Sequence, residues 1–445
     1  MASDQTVKPA AGAPAEETGG LLANRDFVKL WTGQTVSLIG TQVTQFSMPL
    51  VAVLTLNATV LEVGILNALR FVPVLLLSLF AGVWLDRRRR RPFLICCALG
   101  NSLLIALVPI ASVTGLLSIG LLYVVTTLVG LLNMVFDVGA LSYVPQLVDR
   151  RHLSQANSRL QASNAVAGIS GPGLAGLLVG LITAPITLSV DAVSYLASAF
   201  GLLAITRREP EPERKEDRQP VGRSIAEGLR AVYGSKLLRA LLTQSAALNL
   251  FFGAVITVFV VYAVRYLHLT PFKLGLVLGA SAVGALSGAL FSTRVRRRLG
   301  LGRSMVVNTI GLSAAPLLMI VPRGAGLGSM IILICSHLLY GSNVSMFNVT
   351  AITMRQTVTP RRVLARMNAT YRMLLFGAPL FGALMGGLLG DALGLRPALI
   401  ISLIAMTSPV LWIAFSPVFR LREMPAGPPP EAGPATTAKP AGEVG

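Results

Sequence analysis

Four ionisable side chains of this 445-residue chain lie inside long apolar runs: Arg70, Asp137, Asp191 and His337. Within a bilayer such a group costs several kcal/mol unless it is partnered, so each marks a hypothesis about function. Arg70, with Asn67 one turn away on the same helix face, can bind an anionic ligand group or pair with a carboxylate in a cavity. A static ion pair that locks two helices is the alternative. Asp191 can carry a proton across a membrane, or it can cap the start of a helix. The imidazole of His337 can titrate in the working pH range, and Tyr340 follows three residues on, along the same face. The plainer reading of His337 is a neutral, hydrogen-bonded packing residue. Glu62 and Asp391 fall at apolar-run boundaries and are expected to be solvated.

Uncharged polar groups form a second pattern. Gln34, Ser37, Thr41, Gln45 and Met48 follow at spacings of 3, 4, 4 and 3, which places them on one helix face. Gln244 is the counterpart of Gln34 at an offset of 210. Such a stripe suits a cavity wall that takes a moderately polar organic molecule, or hydrogen bonds between packed helices. Cys96, Cys97 and Cys335 sit in apolar runs without metal-ligand spacing, so free thiols, no metal and no cofactor are expected. No Gly-x-x-x-x-Gly-Lys-Ser/Thr occurs, which excludes this chain as a direct user of ATP. No intramembrane His/Glu metal set or Ser/His pair suggests an enzyme, and a channel would need a ring of like residues that this chain lacks.

The elements that position these groups follow from composition. Hydrophobic residues make up 53% of the chain, charged residues only 13%, and the mean hydropathy is +0.69. Soluble domains carry about a quarter charged residues. Apolar runs of about 20 residues recur along the chain, each long enough to cross a bilayer. They are continuous, without the alternation that a barrel strand needs, so helices must satisfy the backbone in lipid. The runs predict an all-α integral membrane protein with spans at 28–56, 61–85, 92–113, 117–141, 157–181, 186–206, 240–264, 273–293, 304–321, 327–350, 367–389 and 395–418. The tails, 1–24 and 421–445, are too rich in Ala, Pro, Gly and Glu to bury a core and are expected to be disordered. The first 20 residues lack the apolar core of a cleavable signal, so the first span is expected to anchor the chain.

The net charge of +19 would suggest nucleic acid in a soluble protein. Its placement argues otherwise. With the N-terminus inside, 33 of the 38 Lys and Arg residues fall on the cytoplasmic side, and only Arg265, Lys273, Arg323 and Arg396 fall on the other. This is the positive-inside pattern. It predicts both termini in the cytoplasm of a cell whose plasma (inner) membrane holds the protein, with basic loops on anionic lipid heads and no nucleic-acid partner. The one long internal loop, 207–239, divides the chain into six-span bundles at 25–206 and 240–420. An amphipathic surface helix is expected in it at 224–242. The halves repeat weakly at offsets of 207 to 211: 145–151 with Asn157 matches 355–362 with Asn368, and Ser170-Gly171-Pro172-Gly173 matches Gly377-Ala378-Pro379-Leu380. Duplicated halves of this kind are a transporter architecture with its substrate site near the midplane.

After the second span the chain reads Gly82-Val83-Trp84-Leu85-Asp86-Arg87-Arg88-Arg89-Arg90-Arg91. A carboxylate at a helix end can accept a neighbouring helix's N-terminal amides, then release them when that helix moves. The fifth span carries Gly168, Gly171-Pro172-Gly173, Gly176 and Gly180, and the eleventh repeats the idea around Pro379. Small residues four apart allow close helix approach, and Pro172 can kink the span.

These segments resemble the major facilitator superfamily. Gly82, Asp86, Arg87, Arg90 and Arg91 match its loop signature, with Arg89 in place of the second glycine. The Gly171-Pro172 run looks like the signature of its proton antiporters, with Ala175 where a further glycine is usual. Phe136-Asp137-Val138 with Tyr143-Val144-Pro145, and Asp191 to Leu196, look like the drug/proton antiporter group that includes macrolide exporters and the enterobactin exporter. The resemblance covers about residues 22–420 and implies a conformational latch in which Asp137 joins Asp86 and the loop arginines. It also implies a gating role for Gly168, Gly171, Pro172, Gly176 and Pro379. The fourth span has no arginine followed by a Gly-rich run, so the group's common proton route is missing, and Asp191 and His337 are the candidates instead. The expected function is secondary active transport by a single chain: proton-coupled efflux of a drug, antibiotic or other secondary metabolite. Siderophore export and lysophospholipid movement are the alternatives.

Overall fold

A computed structural model describes residues 21–77, 89–207, 209 and 221–421. Gly82, Asp86 and Arg87, residues 208 and 210–220 of the linker and nearly all of both tails lie outside the described residues. Twelve helices among the described residues are long and apolar enough to cross a membrane. Spans 1 to 6 are Arg25–Thr55, Val60–Leu77, Arg90–Val113, Ile119–Leu147, Arg150–Ile182 and Ala184–Leu203. Spans 7 to 12 are Lys236–Arg265, Pro271–Leu299, Leu301–Ile320, Leu327–Val358, Tyr371–Leu393 and Leu395–Ala414. The fold is all-helical, as the apolar runs predict. The helix of span 11 itself starts earlier, at Arg361.

Helix starts are set by short polar side chains. The side chain of Asn24 accepts the amide of Phe27, and Ser118, Ser235 and Thr270 cap spans 4, 7 and 8 in the same way. Thr59 and Glu62 form a reciprocal capping box at span 2. Spans 8 and 9 are joined by Gly300 alone, at φ +78°, and spans 11 and 12 by Gly394 at φ +86°. Both are left-handed positions that glycine occupies without cost. The surface helix differs from expectation: it runs Val221–Gly234, and Ser235 restarts the chain as span 7. An N-cap interrupts what the amphipathic pattern reads as one helix.

The packing order traces a closed ring. Span 2 lies beside 4, 4 beside 3, 3 beside 6, 6 beside 1, and 1 beside 5. The second half repeats this as 8, 10, 9, 12, 7 and 11. Spans 5 and 8 form one seam between the halves, and spans 11 and 2 the other.

Charge distinguishes the ends of the ring. One face, called the basic face here, carries Arg150, Arg151 and Arg296 to Arg298; the opposite face carries Arg265, Lys273, Arg323 and Arg396. At the opposite face the halves are bonded. Asp391 accepts the amides of Val60 and Leu61 at 2.9 and 3.3 Å, and Arg265 Nη2 donates to the Ala58 carbonyl at 2.7 Å. Nearer the middle, Asn67 Nδ2 donates to Thr257 Oγ1 at 3.1 Å.

The linker is held at both of its described ends. Asp26 accepts from the Thr206 and Arg207 amides, Lys29 donates to the Ala204 carbonyl at 2.6 Å, and Arg207 donates to the Leu147 carbonyl at 3.1 Å. At the other end, Val232 of the surface helix is buried with Leu238, Leu242, Met367 and Tyr371, against spans 7 and 11.

Candidate transport site

Asp191 is the most enclosed carboxylate among the described residues, at 1% exposure. Span 6 starts at Ala184, so Asp191 lies two turns inside the helix and cannot cap it. Thr44 Oγ1 of span 1 donates to its Oδ2 at 2.5 Å, and Ser194 Oγ lies 2.9 Å from its Oδ1. No basic side chain among the described residues pairs with it. The site exists because residue 40 is glycine: a Cβ there would overlap Asp191 Oδ1 and Ser194 Oγ.

One turn along the same helices lies a second polar layer. Thr41 Oγ1 and Tyr195 OH are 3.0 Å apart, Tyr195 donates to Asn133 Oδ1 at 2.8 Å, and Asn101 Nδ2 donates to the same oxygen at 2.9 Å. The layer joins spans 1, 6, 4 and 3. The sequence reading did not single out Asn101, Asn133 or Tyr195. The available signal is that Tyr195 follows Asp191 by four residues and Thr44 follows Thr41 by three, so both pairs share one helix face.

Arg70 sits where span 2 turns at Arg70-Phe71, and its carbonyl packs against Gly130 of span 4. Its side chain is exposed, within electrostatic reach of Tyr195 and Asp137. Asp137 is exposed as well and faces Arg372 of span 11 in addition to Arg70. The three charges bring spans 2, 4 and 11 to one place. The expected partners of Asp137 were Asp86 and the loop arginines; among the described residues they are Arg372 and Arg70. Arg372, which the sequence reading passed over, comes from the other half of the chain.

The Arg91 side chain is held at span 6. Arg91 Nε and Nη2 donate to the Leu202 and Leu203 carbonyls, both at 3.0 Å, at the end of span 6. The carboxylate of Glu209 accepts the amides of Arg90 and Arg91 at 2.7 and 3.1 Å. A carboxylate at a helix N-terminus is the predicted device, but here it is Glu209 of the linker that holds span 3.

His337 is buried, with Nδ1 3.0 Å from the Leu333 carbonyl of its own helix and its ring 5.4 Å from Phe259. Tyr340 stacks on Phe252 at 4.7 Å and 9°. Both residues pack spans 10 and 7 together. Gln244 is fully buried and donates to Thr309 Oγ1 at 3.3 Å, the interhelical bond that was the other reading of the polar stripe. That bond ties span 7 to span 9. Within the stripe, Gln34 and Ser37 are buried, Thr41 belongs to the Tyr195 layer, and Gln45 is half-buried.

The glycine motif lies in a seam. A Cβ at Gly176 would overlap the Pro271 carbonyl, and one at Gly275 the Pro172 carbonyl. Gly168 faces Ala282 across the same seam, while Gly171 packs on Gln42 of span 1. Pro379 packs within its own half, its carbonyl 2.7 Å from where a Cβ on Gly253 of span 7 would be. No cluster of three potential metal ligands occurs among the described residues.

The profile of the Major Facilitator Superfamily matches residues 30–383. The chain is 27% identical to the multidrug efflux pump Tap of Mycolicibacterium fortuitum over 384 residues, covering 83% of this chain and 90% of that protein. It is 26% identical to the enterobactin exporter EntS of Escherichia coli O1:K1 / APEC over 256 residues, covering 56% of this chain and 58% of that one. Among solved structures it resembles a bacterial homologue of the iron transporter ferroportin in its inward-facing state. There the TM-score is 0.71 at 18% identity, over 89% of this chain and 98% of that one.

Proposed function

Because this chain belongs to the Major Facilitator Superfamily, we propose that it exports a small organic compound from the cell in exchange for protons. That it is a multi-pass membrane transporter of a small molecule, and not an enzyme, follows from the family and its efflux relatives. The proposed orientation puts the basic face in the cytoplasm of the plasma membrane, against anionic lipid heads, with both termini on that side. A single chain is the transport unit. Drug or antibiotic efflux is the first reading of the cargo, supported by the similarity to Tap over most of both chains. Siderophore export is the second, supported by the similarity to EntS over a shorter stretch.

The observation that carries proton exchange is Asp191. A bilayer-embedded carboxylate with two hydroxyl partners and no paired cation is costly to keep charged. It is stable there when it holds a proton, and a transporter that alternates between faces can load and release that proton. A susceptibility and accumulation screen in a strain lacking its own exporters should first supply a cargo. With that cargo in proteoliposomes, an imposed pH gradient should drive accumulation. Flux indifferent to the gradient would leave facilitated diffusion as the better account.

Orientation is tested separately. In a variant with Cys96, Cys97 and Cys335 replaced by Ser, a cysteine at the exposed Ala226 of the surface helix should resist a membrane-impermeant thiol reagent in intact cells and react after permeabilisation. Rapid labelling in intact cells would reverse the assignment of faces.

A further inference from the structure

We infer that Asp391 and Arg265 form the gate clasp of the opposite face, and that breaking it is a step of the transport cycle. The inference rests on the alternating-access reading above. Both residues belong to the second half, and both grip one short stretch of the first, residues 58 to 61. The match is electrical. The carboxylate of Asp391 takes two amide hydrogens at the positive end of span 2, and the guanidinium of Arg265 takes a carbonyl oxygen just before it.

Span 2 divides its first amides between two owners. Thr59 and Glu62 satisfy each other's backbone amides inside the first half, at 2.7 and 3.2 Å, and move with it. The amides of Val60 and Leu61 are satisfied only from the second half. Separation of the halves at this face leaves the capping box intact and strips these two amides of Asp391. Asp391 is exposed, so water can replace the lost bonds and the clasp can reopen. A fully buried pair would resist reopening far more. The expected latch chemistry, a carboxylate accepting a neighbouring helix's N-terminal amides, thus occurs between the halves at the opposite face, on a residue expected to be merely solvated.

The test uses the full chain in lipid nanodiscs, in the variant without native cysteines. Spin labels at Leu116→Cys and Leu327→Cys, both highly exposed on opposite-face connections of different halves, report the width of that mouth. Asp391→Ala should raise the ratio of wide to narrow distances by about tenfold or more, the size expected from losing two charge-assisted hydrogen bonds to water. Arg265→Gln should shift it in the same direction, and Asp391→Glu should restore the narrow population. Should Asp391→Ala fail to fold, Asp391→Asn keeps the side-chain shape and must still widen the mouth. Unchanged distances in Asp391→Asn and Arg265→Gln would overturn the inference. The measurement needs neither cargo nor pH gradient, so the clasp can fail while export stands, and the reverse.

Discussion

Asp191→Asn is expected to abolish proton-driven accumulation while leaving downhill exchange of cargo intact. For one-for-one exchange, each unit of imposed pH gradient supports up to about a tenfold cargo ratio across the membrane. The variant should reach a ratio near one at any gradient. Asparagine keeps the shape and can still accept the Thr44 hydroxyl, so spans 1 and 6 should remain packed. What it loses is the exchangeable proton. The readout is paired: accumulation against a gradient, and counterflow of labelled cargo without one. Loss of both would mark Asp191 as a structural residue, and retention of both would move the proton elsewhere. His337→Gln is the companion variant. Because His337 is bonded within its own helix and packed on Phe259, coupling should survive it.

The second large effect is expected at the seam between spans 5 and 8. Gly275→Val places a branched side chain where the Pro172 carbonyl already lies, and Gly176→Val does the same at Pro271. Overpacking of this kind costs about 1–3 kcal/mol when neighbours can shift. The seam joins two halves that must rock, so the strain should fall on the clasped conformation more than on either bundle. Transport should drop by about tenfold or more, with the protein still inserted and monodisperse. Gly173→Val is the internal control, since that position meets nothing within 4 Å on the same helix. Equal transport loss in Gly173→Val would mean that span 5 tolerates no branched residue, and the seam argument would fall.

The helices were legible because hydropathy is a property of runs, and each run of about 20 apolar residues has one solution in lipid. The six-and-six division is read from the 207–239 segment and its charges. The site was harder. Asp191 stood out because an acid in an apolar run is rare, yet only the start of span 6 at Ala184 separates a buried acceptor from a helix cap. Asn101, Asn133 and Tyr195 are ordinary residue types, and their meeting depends on how four helices are rotated against each other. Arg372 and Asp137 come from opposite halves, more than 200 positions apart, a distance over which local spacing carries no information. The Gln244 bond to Thr309 was hidden for the related reason that a polar stripe does not reveal which neighbour it faces.

The anchoring of the linker has a mechanical consequence. Its start is bonded to the first half through Asp26, Lys29 and the first amides of span 3, and its surface helix is packed on the second. Twelve peptide steps separate Glu209 from Val221. Fully extended, they reach at most about 40 Å, whatever path they follow. Chain length alone thus sets an outer limit on how far the two bodies can part, because the ends it joins can never lie farther from each other than that reach. Shortening it residue by residue lowers that limit in steps of about 3.5 Å, and turnover should stop once the limit falls below the widest separation the cycle requires.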